Sequence, residues 1–253
     1  MFQRLFCMMS LFVLVMSLNP NQSETNSIDK NVFPNDVASG DSRGKGKSTI
    51  NVHLVLHSHQ DLGWVYSFDT NFQVKVNTIY QVVKNKLIQD PQIKFSVAEM
   101  GFFMKWFDSL SPLEKSDIKA LIARKQLELV NGGYSMNDEA CTYYDLIILQ
   151  YHVGHRWIRE NFGYTTRVAW AIDTFGHSSS QASLLAQMGY NGFFLERIHF
   201  EEMKRRATHK AMEFLWKQQE NVLFTSIMPH KYSSFDGFTC EHINCGRTID
   251  EDN

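Results

Sequence analysis

Excess charge is missing from this 253-residue chain. Its 25 Lys and Arg nearly balance 27 Asp and Glu, leaving a formal net charge of −2 at pH 7. That removes the electrostatic case for nucleic acid or an anionic membrane surface as partner. A long apolar run is missing too. The most apolar stretch, Leu5 to Met16, is too short to span a bilayer stably and is followed at once by polar, Asn-rich sequence. Internal repeats are absent, which excludes a repeat architecture. Cysteine is scarce, at four residues, and leaves room for little cross-linking.

What is present is ordinary bulk with an unusual address. Hydrophobic residues at 43% and charged ones at 21% exclude disorder for most of the chain. The length allows one sizeable core, or two small ones. Aromatics reach 13%, with 19 Phe, which suits a carbohydrate binder and equally a Phe-rich core. Arg4 before the apolar run, with Val15 and Ser17 ahead of a cut, gives the layout of a signal peptide over 1–18. An uncleaved anchor is the alternative; after cleavage no stable membrane span is expected. Asn21-Gln22-Ser23 is a glycosylation sequon in a polar linker, 19–48, consistent with the secretory pathway. Cys7 would leave with the signal. Cys240 and Cys245 could close a small disulfide ring in an oxidising lumen, with Cys141 expected as a free, buried thiol.

From residue 49 the pattern alternates. Strands are expected over 50–56, 94–98, 127–130, 167–172, 192–195 and 222–227. Between them the periodicity gives a helix over 72–89, with Val76, Ile79, Val83 and Leu87 on one stripe. Ser111-Pro112-Leu113-Glu114 reads as a capping box with proline at the first helical position, and a helix over 144–161 ends near Gly163. A further helix closes at Gly189. Strand and helix in alternation mean right-handed crossovers and a mostly parallel sheet, open or curled into a barrel.

Ligands of such folds bind beyond the carboxyl ends of the strands. Here those ends carry His57, His59 and Asp61, then Glu99, Asp138 and Glu139, Asp173, Arg197, and finally His230 and Tyr232. Six loaded ends argue for one cleft. In His57-Ser58-His59-Gln60-Asp61-Leu62-Gly63-Trp64, residues two apart on an extended backbone project to one side. His59 and Asp61 can therefore reach a common zinc ion, with His57 left to the surrounding shell because three adjacent ligands would crowd. A polar loop of hydrogen-bonded histidines is the plainer alternative. Asp173 in Trp170-Ala171-Ile172-Asp173-Thr174-Phe175-Gly176-His177-Ser178 follows an apolar strand. A carboxylate there can attack an anomeric carbon or bind zinc; it can also simply cap a helix.

Together these segments resemble the glycoside hydrolase family 38 α-mannosidases, closest to the lysosomal-type branch. Ala-Glu-Met-Gly-Phe-Phe at 98–103, Asn-Gly-Gly-Tyr-Ser-Met-Asn-Asp-Glu-Ala at 131–140 and Gln-Met-Gly-Tyr-Asn-Gly-Phe-Phe at 187–194 extend the likeness, as does the Cys240/Cys245 spacing. The resemblance implies an α/β domain over 49–253, mostly parallel and incomplete seven-stranded barrel-like, truncated before helical and β-rich domains. It implies His59, Asp61 and Asp173 as zinc ligands, with Asp173 also the catalytic nucleophile. It implies substrate contacts from Trp64, Phe175, Arg197 and Tyr232, and a mannose-containing oligosaccharide as substrate in a lysosomal or secreted enzyme. Thr174 and Tyr134 depart from the family's usual proline and tryptophan. The acid/base carboxyl and a fourth ligand, a histidine, are expected beyond Asn253, so weak activity is expected of this chain. A metal-dependent polysaccharide deacetylase and a non-catalytic mannose-binding remnant are the competing readings.

Overall fold

The computed structural model describes residues 9–15 and 52–228. Two four-stranded sheets form its frame, and both are open rather than closed into a barrel. In the first, β1 (Met9–Val15), β2 (Val52–Ser58), β3 (Phe95–Val97) and β4 (Leu127–Leu129) lie in that order. In the second the order is β5 (Val168–Ala171), β6 (Gly192–Leu195), β8 (Asn221–Ile227) and β7 (Glu213–Gln218). β2, β3 and β4 are parallel, as are β5, β6 and β8. β7 runs antiparallel on β8 through a tight turn with Gln219 in the left-handed region. β1 lies in the segment expected to be a signal peptide and pairs antiparallel with β2, from Met9 opposite Ser58 to Val15 opposite Val52. An apolar, β-prone run of seven residues can fill the free edge of β2.

Asn131 joins the two sheets. Its N–H donates to the Val168 carbonyl at 2.7 Å, and its side-chain oxygen accepts from Tyr151 Oη at 2.9 Å and Trp170 N at 3.4 Å. The strand ends of both sheets therefore face one side, which is where the site lies.

The helices explain most of the aromatic content. α1 (Phe68–Asn71) starts at Ser67, whose Oγ accepts from Thr70 N, and passes through a π-helical turn (Phe72–Val76) into α2 (Asn77–Gln89). The expected stripe Val76, Ile79, Val83 and Leu87 is fully buried. α3 (Met100–Ser109) was not foreseen. It buries Phe102, Phe103, Trp106 and Phe107 among Tyr80, Trp157 and Phe162, and each such side chain contributes roughly 1.5–3 kcal/mol. α4 (Pro112–Ala123) opens on the expected capping box, Ser111 with Glu114.

α5 (Tyr144–Phe162) ends at Gly163, which takes the left-handed conformation at φ 73°. A β-carbon at Gly154 would lie 1.9 Å from the Gly132 carbonyl oxygen, so only glycine lets α5 approach the loop after β4 this closely. α6 (Ser179–Gln187) is capped by Ser178, not by Asp173, so the helix-cap alternative for that carboxylate is set aside. α7 (Phe200–Thr208) has no buried residue and is stitched on its surface by Glu202 with Arg205 and Arg206. Among the described residues no helix is long and apolar enough to cross a membrane.

Candidate metal centre

His59 sits just past the end of β2, and its ring is buried. Nε2 lies 3.2 Å from Asp61 Oδ1 and 3.2 Å from Asp173 Oδ2, bringing the tip of the first sheet to the tip of β5. One ligand atom from each of the three residues falls within 4.8 Å of the others. One imidazole nitrogen and two carboxylate oxygens are a donor set that divalent zinc accepts. On the far side of the ring, Nδ1 donates to Glu99 Oε1 at 3.0 Å. Burial works against a charged His59, but the bonds to Asp61 and Glu99 and their charges outweigh it and raise its pKa to about 10. The bond from His59 holds Asp61 below the usual carboxylate range.

Asp173 divides its two oxygens. Oδ2 faces His59, while Oδ1 accepts from Arg197 Nε at 2.6 Å and also from its Nη2. Arg197 follows β6 in the left-handed region, at φ 37°, a conformation that costs a bulky residue about 1–3 kcal/mol. Its guanidinium also stands over the Phe175 ring, 4.7 Å from the centroid. Phe175 is otherwise exposed, at 73%, and Trp64, three residues past Asp61, is 83% exposed. His59, Asp61, Asp173, Arg197 and Phe175 are thus one group, with Trp64 on the same loop as Asp61. Tyr232, His230, Cys240 and Cys245 lie outside the described residues.

Other residues singled out in the sequence go elsewhere. His57 is buried edge-on against Trp170, with ring centroids 5.2 Å apart, and stands outside the three-residue cluster. Burial and the neighbouring His59 push its pKa down to about 4. Asp138 turns its carboxylate onto the amides of Ala140 at 2.8 Å and Cys141 at 2.6 Å, and so shapes its own loop. Cys141 is free but exposed, a correction to the buried thiol expected, because this loop runs over the surface instead of into the core. Glu139 reaches across 38 residues to His177 Nδ1 at 2.9 Å and takes the Ser178 amide on its other oxygen. His177 Nε2 then donates to the Glu196 carbonyl at 2.7 Å. This chain of contacts ties the loops after β4, β5 and β6 together behind Asp173. Both Glu139 and His177 stood in segments already noted, but nothing local in the sequence pairs them.

A mixed α/β frame thus carries at its strand ends three donors that could hold a metal ion, one of them a carboxylate also held by an arginine. Residues 49–251 match the glycosyl hydrolases family 38 N-terminal domain. The chain belongs to that family. It is 35% identical over 254 residues to a lysosomal alpha-mannosidase of Dictyostelium discoideum, covering 95% of this chain and 24% of that protein. It is 38% identical over 200 residues to the lysosomal alpha-mannosidase of Mus musculus, covering 73% of this chain and 20% of that one. The chain therefore spans about a quarter or less of the length of these curated relatives. An alpha-mannosidase from Enterococcus faecalis V583 shares the fold, with TM-score 0.58 at 16% identity over 70% of this chain and 20% of its own. Family membership argues against the deacetylase reading.

Proposed function

We propose that this chain carries the metal and nucleophile part of a zinc-dependent retaining α-mannosidase acting on terminal α-D-mannosides in N-glycan or glycoprotein breakdown. The observation that supports this most is the convergence of His59, Asp61 and Asp173 at the strand ends of a family 38 domain. Relatives named lysosomal alpha-mannosidases point the same way. Zinc held by these three residues would act as a Lewis acid that orients the hydroxyls of the bound mannose.

Asp173 is the nucleophile of this reading. Its carboxylate attacks the anomeric carbon, the leaving oxygen departs, and water later cleaves the glycosyl ester with overall retention. Arg197 fixes the plane of that carboxylate through Oδ1. Trp64 and Phe175 offer exposed aromatic faces to the sugar, and Tyr232 completes the substrate contacts. Retention also needs a second carboxyl about 5–5.5 Å from the first, to serve as acid and then base. The described carboxyls around the site are engaged: Asp61 and Glu99 with His59, Glu139 with His177 and Ser178. Weak turnover by this chain follows, since general acid help is worth about 10²–10⁴ in rate.

The same proposal covers the rest of the chain. The two open sheets form part of a seven-stranded barrel-like catalytic domain, which helical and β-rich domains complete in the whole enzyme. Residues 1–18 direct the chain into the secretory pathway, 19–48 act as a linker, and the destination is the lysosome or the cell exterior. Cys240 and Cys245 pair there.

The test is release of an aryl leaving group from an α-mannoside with zinc present, because a good leaving group needs the least acid help. Slow release, abolished in Asp173→Asn, is the expected result. Zinc-dependent mannose binding without any release would instead assign a binding remnant. Release equal in the parent and the Asp173→Asn chain would overturn the nucleophile assignment.

A further inference from the structure

Glu99 is a buried carboxylate hydrogen-bonded to His59, yet it is not one of the three candidate donors. It touches His59 on Nδ1, the nitrogen facing away from Asp61 and Asp173. We infer that Glu99 is the positioning residue of this centre: its carboxylate holds the proton of His59 on Nδ1 and so turns the lone pair of Nε2 toward the metal. This rests on the reading of His59, Asp61 and Asp173 as a zinc site.

Three observations carry it. The first is orientation. An imidazole with one nitrogen bonded to a fixed acceptor has one tautomer and one ring angle, and a carboxylate acceptor also raises the basicity of the ligating nitrogen. The second is isolation. Glu99 is 1% exposed and His59 8%, so no bulk water can take over the bond to Nδ1 when the carboxylate is removed. The third is that the backbone leaves Glu99 free for this duty. Glu99 stands at the N-cap of α3, where a carboxylate would normally bond the first amides of the helix, yet it makes no such bond. Those amides are satisfied by the loop after β4 instead: Met100 N donates to the Gly133 carbonyl at 3.0 Å and Gly101 N to the Tyr134 carbonyl at 2.8 Å. The helix end is capped by backbone, and the side chain turns to His59.

A plain structural ion pair would explain the contact as well. The two roles separate in metal affinity, because a packing role changes the stability of the apoprotein while a positioning role changes what the apoprotein binds. The experiment measures zinc affinity of the full chain by competition with a chromophoric chelator, together with the melting temperature of the metal-stripped protein. It compares the parent with Glu99→Gln, which keeps shape and an acceptor oxygen but loses the charge, and Glu99→Leu, which loses both. Glu99→Leu is expected to weaken zinc binding on the order of 10–100-fold. Glu99→Gln should fall between it and the parent, with a metal-stripped melting temperature unchanged from the parent. Affinity within twofold of the parent in Glu99→Gln overturns the inference, and that variant decides alone if Glu99→Leu does not fold. A loss of affinity that tracks a lowered metal-stripped melting temperature assigns Glu99 to packing and overturns it too. Failure of the parent itself to bind zinc, or binding equally tight in His59→Ala, overturns the metal site and this inference with it.

Discussion

The residues of the site divide by how far their partners lie along the chain. His59 and Asp61 could be grouped from sequence because an extended backbone sends alternate side chains to one face, a rule that needs no tertiary knowledge. Asp173 entered through its place after an apolar strand and through family likeness. Glu99 and Glu139 stood out only by their place at strand ends; their partners His59 and His177 could not be read, since contacts spanning 40 and 38 residues are made by the fold and not by spacing. Exposure separates function from structure at the same scale. Trp64 is 83% exposed, so Trp64→Ala is expected to change the melting temperature little, within the roughly 0.5 kcal/mol usual for surface changes. Mannoside affinity should fall in that variant by about three- to tenfold, as stacking on one aromatic face is worth about 0.5–1.5 kcal/mol. Calorimetric titration with a mannoside checks both halves; a stability loss with unchanged affinity would remove Trp64 from the sugar site.

At the scale of elements, the legible ones had a periodic stripe or a cap. α2 carried a one-sided stripe and α4 a capping box with proline at its first position, and a helix stands at each place. α3 escaped because its apolar, aromatic-rich residues run on from the strand before it with no side-chain cap to mark a start; six of its ten residues are buried. α7 escaped for the opposite reason: it buries nothing and is held by ion pairs three and four residues apart. α5 also carries a titratable group into the interior. His155 Nε2 lies 2.6 Å from Tyr190 Oη and 3.2 Å from Thr166 Oγ1, and burial lowers its pKa below the ordinary 6.5. At His155 the unfolded chain therefore binds more proton than the folded one as the pH drops toward and below about 6.5, and the contribution of this residue to stability falls with it. His57, lowered to about 4, adds to the same acid-side loss. The share of His155 is read as the difference between parent and variant melting temperatures from pH 7.5 to pH 5, because His59, raised to about 10, gains stability over the same interval. His155→Gln, less stable at pH 7.5, should lose less or gain more than the parent on going to pH 5, and an identical pH slope would contradict the assignment of His155.

For the whole molecule, alternation of strand and helix predicted a parallel α/β frame, and two mostly parallel sheets are what the chain forms. The seam between them was not readable, because it depends on Asn131 adopting a left-handed turn and bonding into β5. That seam matters for function. It aligns the end of β2 with the end of β5, and so brings Asp173 to His59 and Asp61 across 112 residues of chain. Those three side chains are expected to hold one zinc ion through nitrogen and oxygen alone. X-ray absorption at the zinc edge, on the zinc-loaded chain and on His59→Ala and Asp173→Ala, measures this directly. A first shell of nitrogen and oxygen at about 2.0–2.2 Å, with one imidazole contribution that disappears in His59→Ala and a shell altered in Asp173→Ala, is the predicted result. A sulfur shell at about 2.3 Å, or a spectrum unchanged in both variants, would contradict it.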